Sequence, residues 1–403
     1  MYGARYDMKL QLQTCDTRYF AEYTVNVGPF LERAAAPGAC VAATPFQATT
    51  WIHSWYHLLA PARAVEPVLV TVRDSATGEL AMMLPLVLRH IFGLSIIEFA
   101  DLLVSDYAVP LLGPAVPVTI DRAGQAWDAV LRCIPKCDLV FLDKLPEALN
   151  GHPNPLAFIA NRSAHTVGNV LSLPNSWDEF LASRPRSFRK ELRKHNRALM
   201  ELGGGVSQTV VKVSEAHALL TKIEEFHHRR IEALGKAYVL DKPSYSNFYH
   251  DLIDRGLSSG FVKMFVLHSN DGVIAAAFSL LHGSCCTTVR LAHVGGEWNK
   301  ASPGIILASE IVKWAIENQM NTFDFGIGKY DYKQRLGCQL IPLFTYAAPM
   351  SIKGKLALLA YDSKTFLRKN RVLRRMIGLV RLGLLRGDYH FKRHTKLFDR
   401  LGE

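Results

Sequence analysis

"SCCTTVRLAHVGGEWNKASPGIILASEIVKWAIENQMNTFDFGIG", residues 284–328, changes its period along its length. "SCCTTVRLAHV" is short and rich in β-branched residues, which reads as a strand. "GGEWNKASPG" is a glycine-bearing loop, and Ile305 to Met320 set Leu307, Ile311 and Ala315 on one helical face. "NTFDFGIG" returns to strand. Strand, loop, helix and strand at this spacing make a βαβ crossover. Immediately before it, "FVKMFVLHS", the turn "NDG" and "VIAAAFSLLHG" join the first strand in an antiparallel meander. A meander continued by a parallel crossover predicts a mixed α/β sheet. The crossover loop enters its helix at Ser302, Pro303 and Gly304, where unpaired N–H groups and the positive end of the helix dipole favour an anion. Proline also suits the first turn of a helix for reasons of backbone geometry alone.

Outward from this stretch, "SFRKELRKHNRALMEL" reads as a helix with Phe188, Leu192, His195, Leu199 and Leu202 on one stripe, stopped by the glycines at 203–205. Its cations fit a solvated outer face, or a flank that holds phosphates. "VSQTVVKV" follows as a strand, and two further helices lead into the meander. The first half of the chain carries the same logic in a smaller form. A short helix in "PFQATTWIHSWYHLL" precedes a hairpin from Val68 to Leu88 around Gly78. A strand then runs into the loop at Ser105, Asp106 and Tyr107, and a helix near "AGQAWDAVLRCI" leads to the strand "DLVFLDKL". The expected organisation is a non-periodic extension over 1–43, an α/β unit over 44–170, a larger one over 171–350 and a tail over 351–403.

The 403 residues, 49% of them apolar and 21% charged, exceed what one ordinary domain needs. Seven cysteines, with "CIPKC" at Cys133 and Cys137 lacking a second Cys or His pair nearby, fit neither a disulfide framework nor a metal site, so no metal is expected and a reducing compartment is. The amino terminus has no apolar signal region, and the most apolar stretch is interrupted by Arg89, His90 and Glu98. A cytoplasmic chain, soluble or peripheral at the inner face of the membrane, is the expectation. Fourteen Lys/Arg against four Asp/Glu place ten of the eleven net positive charges in residues 351–403. Within that tail, Phe366, Leu373, Met376, Ile377, Val380 and Leu384 share a helical face, with Arg368, Arg371, Arg374, Arg375 and Arg381 around the other. Such a helix packs on the protein's own core, or meets an anionic membrane or an acidic protein. No aromatic interleaving of the kind used by single-strand grooves accompanies the charges, and sequence-specific nucleic-acid binding is not expected.

Several stretches, in order, resemble the GNAT acyltransferase superfamily, in particular its CelD-like branch of cellulose and exopolysaccharide biosynthesis and more distantly the FemABX peptidoglycan ligases. They include "TPFQATTWIHSWY", "SDYAVPLLGP", "SFRKELRKHNRALMELGG", "FHHRRIEALGK", "SPGIILASEIVKWAIE" and "FDFGIGKYDYKQRLG", and the likeness spans roughly 44–350. It implies two GNAT-like domains in tandem, with the acyl donor in the second. "SPG" at Ser302, Pro303 and Gly304 takes the place of the family's glycine-rich pyrophosphate loop, with a single glycine of its own and Gly295 and Gly296 upstream. Asp324, Phe325, Gly328, Tyr332 and Lys333 match the branch's "DF...G...YK" pattern, while Ile327 stands where relatives often carry arginine.

The resemblance implies transfer of an acyl group, acetyl above all, from acetyl-CoA or another acyl-CoA to an amine or hydroxyl of a sugar, amino acid or polysaccharide precursor. Asp106 and Tyr332 are the candidates for proton transfer, and Arg229, Lys333 and Arg335 for an anionic substrate. The alternative for Asp106 is a turn cap, and for Tyr332 and Lys333 an ordinary surface pair. Three competing readings stay open: an aminoacyl-tRNA-dependent ligase of the FemABX kind, a noncatalytic scaffold in a polysaccharide-synthesis complex, and a donor carried on an acyl carrier protein.

Overall fold

The computed structural model describes residues 18–149, 151–235, 240 and 242–369. In chain order it contains β1 (Tyr19–Thr24), α1 (Val27–Ala35), α2 (Thr49–Ser54), α3 (Ala60–Ala62), β2 (Glu66–Asp74), β3 (Leu80–Ile91), β4 (Leu94–Phe99) and β5 (Leu111–Leu112). Next come α4 (Ile120–Cys133), β6 (Leu139–Pro146), β7 (Ala148–Leu149), β8 (His152–Pro153), α5 (Pro155–Ile159) and β9 (Arg162–Ser172). The second half has α6 (Trp177–Ala182), α7 (Arg186–Glu201), β10 (Gly204–Val210), α8 (Val213–Ala233), α9 (Pro243–Gly256), β11 (Val262–Ser269), β12 (Gly272–His282) and β13 (Cys285–His293). It ends with α10 (Pro303–Glu317), β14 (Thr322–Ile327), α11 (Asp331–Arg335), β15 (Gln339–Pro349) and α12 (Ile352–Lys369). The chain separates into two compact units, one up to Ala347 and one from Ala348.

One mixed sheet runs through the first unit in the order β1-β2-β3-β4-β6-β15-β9-β14-β13-β12-β11-β10, with β5 on β3. Exchanging β1 with β10, β2 with β11, β3 with β12, β4 with β13, β6 with β14 and β9 with β15 reverses this order onto itself. The two halves are therefore repeats of one unit: a strand, helices, three antiparallel strands, a crossover helix and a parallel strand. Each half then gives its last long strand to the other. β9 pairs with β14, and β15 inserts between β6 and β9. The expected boundary near 170 thus falls inside β9, and the sheet does not divide there.

The local reasons are legible. In the first hairpin, the Asp74 carboxylate accepts from the N–H groups of Ala76 (2.9 Å) and Thr77 (3.3 Å), while Gly78 supplies a positive φ of 72°. Thr119 and Ser176 cap α4 and α6 by accepting from Arg122 and Glu179. Gly203, at φ 77°, ends α7, while Gly204 and Gly205 already belong to β10, so only the first of the three glycines acts as the stop. The crossover helix α10 opens on Pro303 and buries Ile306, Leu307, Ile311, Val312 and Ala315 against the sheet. Residues 19–35 depart from the expected non-periodic extension: β1 pairs antiparallel with β2, and α1 buries Phe30 in the first repeat's core. An alternation of only six residues, "YFAEYT", is too short to stand out from its surroundings.

In the second unit, α12 leaves Ile352, Leu356 and Leu359 exposed. The tail side chains whose pattern is given above, from Phe366 onward, lie outside the described residues. Among the described residues no helix is long and apolar enough to cross a membrane.

Candidate active site

Two neighbouring strands that point the same way part company at the centre of the second repeat. β13 and β14 pair in parallel over three positions, Cys285 with Thr322, Cys286 with Phe323 and Thr287 with Asp324, and no further. Beyond Thr287, β13 carries a bulge, because Phe278 faces Arg290 and Ser279 faces Thr288, leaving Val289 extra. β14 carries another, since Asp324 faces Val170 and Ile327 faces Gly168 on β9. The strands diverge toward their carboxyl ends, the side of an α/β crossover on which ligands are received. β4 and β6 of the first repeat likewise pair over only Ile96–Leu139 and Ile97–Val140. That opening is closed by a salt bridge of 2.6 Å between Lys144 and Asp101, with the Lys144 ammonium also donating to Ser105 O at 2.7 Å.

Asp324 stands where β13 and β14 separate. One of its carboxylate oxygens accepts from the Tyr107 hydroxyl at 3.0 Å and from Gly326 N–H at 2.6 Å. Tyr107 reaches it from the first repeat's loop across β9, and its ring occupies the space that a side chain at Gly168 would fill. Beside this pair lies Asp106, which accepts a hydrogen bond from the Ile327 backbone. Gly326 has a φ of 67°, and a Cβ there would collide with the Asp106 carboxylate, so glycine is required twice over. Asn169, fully buried, holds the bulge from below by donating to Gly326 O and Gly328 O, both at 2.8 Å.

The electrostatics follow from burial. Loss of water raises the Asp106 carboxyl to about 6, against the pull of Lys144 and Lys333. The same cause raises Asp324 to about 7, opposed by the Gly326 N–H, with the neighbouring Asp106 charge adding to the rise. Burial pulls the Lys333 ammonium down, while Asp106 and Asp324 hold it up. Burial would pull Lys144 down as well, but Asp101, with Asp106 behind it, keeps it above its ordinary value. Asp324 is 6% exposed and Asp106 is only partly buried, so Asp106 is the carboxylate that a substrate can reach.

The mouth of the opening is built from α10, β13, α8 and α11. A Cβ at Gly304 would make ordinary contact, 3.4 Å, with His293 and Leu291 of β13, so the protein's own packing does not demand glycine there. Arg230 on α8 lies near enough to bear on His227, His293 and Tyr332. Tyr332 shares a small cleft with Ile305 of α10, Phe188, Leu192 and His195 of α7, and Arg335. Burial, then the Tyr330 phenol, pushes the Tyr332 hydroxyl up to about 12.

The structure thus brings Asp106 and Lys333 together, and sets Tyr332 with Ser302, Pro303 and Gly304 at the mouth. Lys333 is 4% exposed and donates to Phe325 O (2.7 Å) and Ile327 O (2.8 Å), so it folds the "FDFGIGKYDYK" turn back upon itself. Arg335 is ion-paired with Glu191 of α7, and Arg229 lies over the Phe226 ring at 5.1 Å. Ser302 adopts a left-handed conformation, φ 50°, between the preceding turn and Pro303. Four contributors escaped the sequence reading: Tyr107 as a partner of Asp324, Asn169, Lys144 and Arg230. The last was one helical step, about 100°, from the residue chosen. Among the described residues no group of three or more His, Cys, Asp or Glu side chains is placed to hold a metal, and the cysteines are unpaired.

Residues 186–334 match the family model of the acetyltransferase (GNAT) domain. Among solved structures, FemX aligns with a TM-score of 0.53 at 11% identity, over 79% of this chain and 96% of its own. The C-terminal domain of a putative lysylphosphatidylglycerol synthetase from Agrobacterium fabrum aligns at 0.50 and 12%, over 83% and 96%. A tandem GNAT protein from the clavulanic acid pathway aligns at 0.42 and 12%, over 83% and 99%. No curated protein sequence matches the chain. The stretch that matches the GNAT domain model lies within a mixed α/β chain and contains the β13–α10–β14 crossover, with the opening between β13 and β14 inside it.

Proposed function

We propose that the protein is an acyltransferase that seats an acyl thioester between β13 and β14 and passes the acyl group to an amine or hydroxyl of a sugar, amino acid or polysaccharide precursor. The observation that carries this reading is the three-pair contact of β13 and β14 with a reachable carboxylate, Asp106, beside their point of divergence. The attacking group adds to the thioester carbonyl, its proton goes to Asp106, and collapse of the intermediate expels the thiolate. A carboxyl raised to about 6 is ionised at neutral pH yet basic enough to accept that proton. Tyr332, raised to about 12, keeps its proton and is suited to return one to the thiolate. N–H groups at the start of α10 and the Arg230 guanidinium receive the anionic part of an acyl-CoA, acetyl-CoA being the first to try. Positioning and a preorganised polar site supply most of such a rate enhancement.

The test is transfer or thioester cleavage with acetyl-CoA and longer acyl-CoAs against a panel of amino sugars and amino acids. Tyr332→Phe is expected to lower kcat by about 10-fold or more and to leave the melting temperature within a few degrees. Full turnover by that variant removes Tyr332 from the reaction. Gly304 gives a separate handle on the donor. A Cβ there fits the fold, so Gly304→Val is expected to keep the parent's circular dichroism while weakening CoA binding about 10-fold by blocking close approach to the backbone. Unchanged CoA affinity in calorimetry would put the diphosphate elsewhere.

A further inference from the structure

Helix α7 forms one side of the site's entrance, and its two faces differ in kind. Phe188, Leu192, His195 and Leu199 are buried toward the domain. His195 lies close to the backbone at Lys300 in the turn that leads into α10. On the opposite side stand Arg186, Lys190, Arg193, Lys194 and Arg197, all exposed. At about 100° per residue these five fall within an arc of roughly 100° and run for roughly 16 Å along the helix.

Several exposed cations on the other helices are ion-paired. Lys212 pairs with Glu215, Lys222 with Glu225, Arg255 with Asp251 and Lys313 with Glu317. The five on α7 have no ion-pair partner among the described residues: of the helix's two acids, Glu191 is taken by Arg335 and His195, and Glu201 stands beyond the last cation at the helix end without an ion pair. Like charges at i, i+4 destabilise a helix by about 0.2–0.5 kcal/mol per pair, a cost that a merely solvated face avoids by mixing signs.

Building on the acyltransferase reading, we infer that this strip docks an acidic carrier protein whose phosphopantetheine arm delivers the acyl thioester into the opening between β13 and β14. A single straight row of cations matches one acidic helix of a small partner, and charge complementarity of that kind sets on-rate and register. A partner docked there stands across the width of α7, about 10–12 Å, from the cleft that the helix's buried face shares with Ile305 in the first turn of α10 and Tyr332, a gap that a long flexible arm has to span. No exposed aromatic ring lies on α7 to stack a nucleic acid base. Met200 is the helix's one exposed large apolar residue, too little to anchor it in a bilayer.

The test uses the full chain and a purified bacterial acyl carrier protein. Calorimetry with the holo carrier, which needs no turnover, is expected to show binding that weakens at least 10-fold on Arg193→Glu/Arg197→Glu and on raising salt, while Lys222→Glu on α8 has no effect. In turnover, the double reversal is expected to raise KM for acetylated carrier at least 10-fold with kcat unchanged. Unaltered carrier binding in the double variant overturns the inference, as does no binding by the parent. Binding of tRNA or of anionic phosphatidylglycerol vesicles by the parent, lost in the double variant when the carrier is ignored, reassigns the strip. Carrier binding without transfer from any donor overturns the acyltransferase reading instead and leaves the docking surface standing.

Discussion

Asp106→Asn lowers acyl transfer by a factor of about 10² to 10⁴ and abolishes the acidic limb of the pH–rate profile. Asparagine keeps the shape and the acceptor oxygen facing the Ile327 backbone but has no basic site. In the parent, the base works only when ionised, so kcat/KM climbs as pH passes through about 6. Asp324 titrates near 7 and feels the Asp106 charge, so the two lose their protons as a coupled pair and the limb is broader than one group would give. The measurement is kcat/KM from pH 5 to 9 for parent, Asp106→Asn and Asp324→Asn. Asp324→Asn retains the acceptor for Tyr107 and Gly326, and is expected to sharpen the limb and leave it near 6, because Asp106 ionises first, beside a still-neutral Asp324 that the amide imitates. A parent-like rate in Asp106→Asn would assign the proton to another group.

Several elements of both repeats were legible because each has the length and period that betray it. Hairpin turns at Gly78 and "NDG", the α7 stripe and the β13–α10–β14 crossover all lie where alternation, turn residues and helical spacing put them. Strand exchange was not legible. "GNVLSLP", which became part of β9, is strand-like, but nothing in it says which half of the molecule it will complete, since pairing partners are chosen by tertiary packing, and β15 was not read from the sequence at all. The same holds for the site. Asp106 and Lys333 were visible as polar residues in loops or turns, whereas Asn169 and Lys144 sit inside strands where a polar residue is ordinarily unremarkable. Their roles depend on contacts between separate segments, 157 positions apart for Asn169 and Gly326 and 43 for Lys144 and Asp101. Conversely, Arg335 was conspicuous beside the turn, yet its charge is spent on Glu191.

Lys333→Met is the substitution expected to cost the fold most. Its ammonium satisfies two backbone carbonyls, Phe325 O and Ile327 O, and it is a cation that lowers both Asp106 and Asp324. Removing one member of a buried charge cluster leaves the others uncompensated and costs about 3–5 kcal/mol, several times what an exposed pair would. The pH dependence separates the contributions. Both carboxyls are raised above the ordinary value of 3.8, so the native state binds more protons than the unfolded chain between about pH 4 and 7, and stability falls as pH rises through that window. Without Lys333 both carboxyls rise further, so the fall becomes steeper and continues above pH 7. At pH 5 the variant's carboxyls are protonated, and its deficit is mainly the two lost hydrogen bonds, about 1–3 kcal/mol for each carbonyl left buried and unpaired. At pH 8 the deficit grows by the cost of two ionised carboxylates with one cation fewer. Urea denaturation of parent and variant at both pH values reads this difference directly. An equal deficit at pH 5 and pH 8 would mean that Lys333 braces the turn through its hydrogen bonds alone, with no electrostatic hold on the two aspartates.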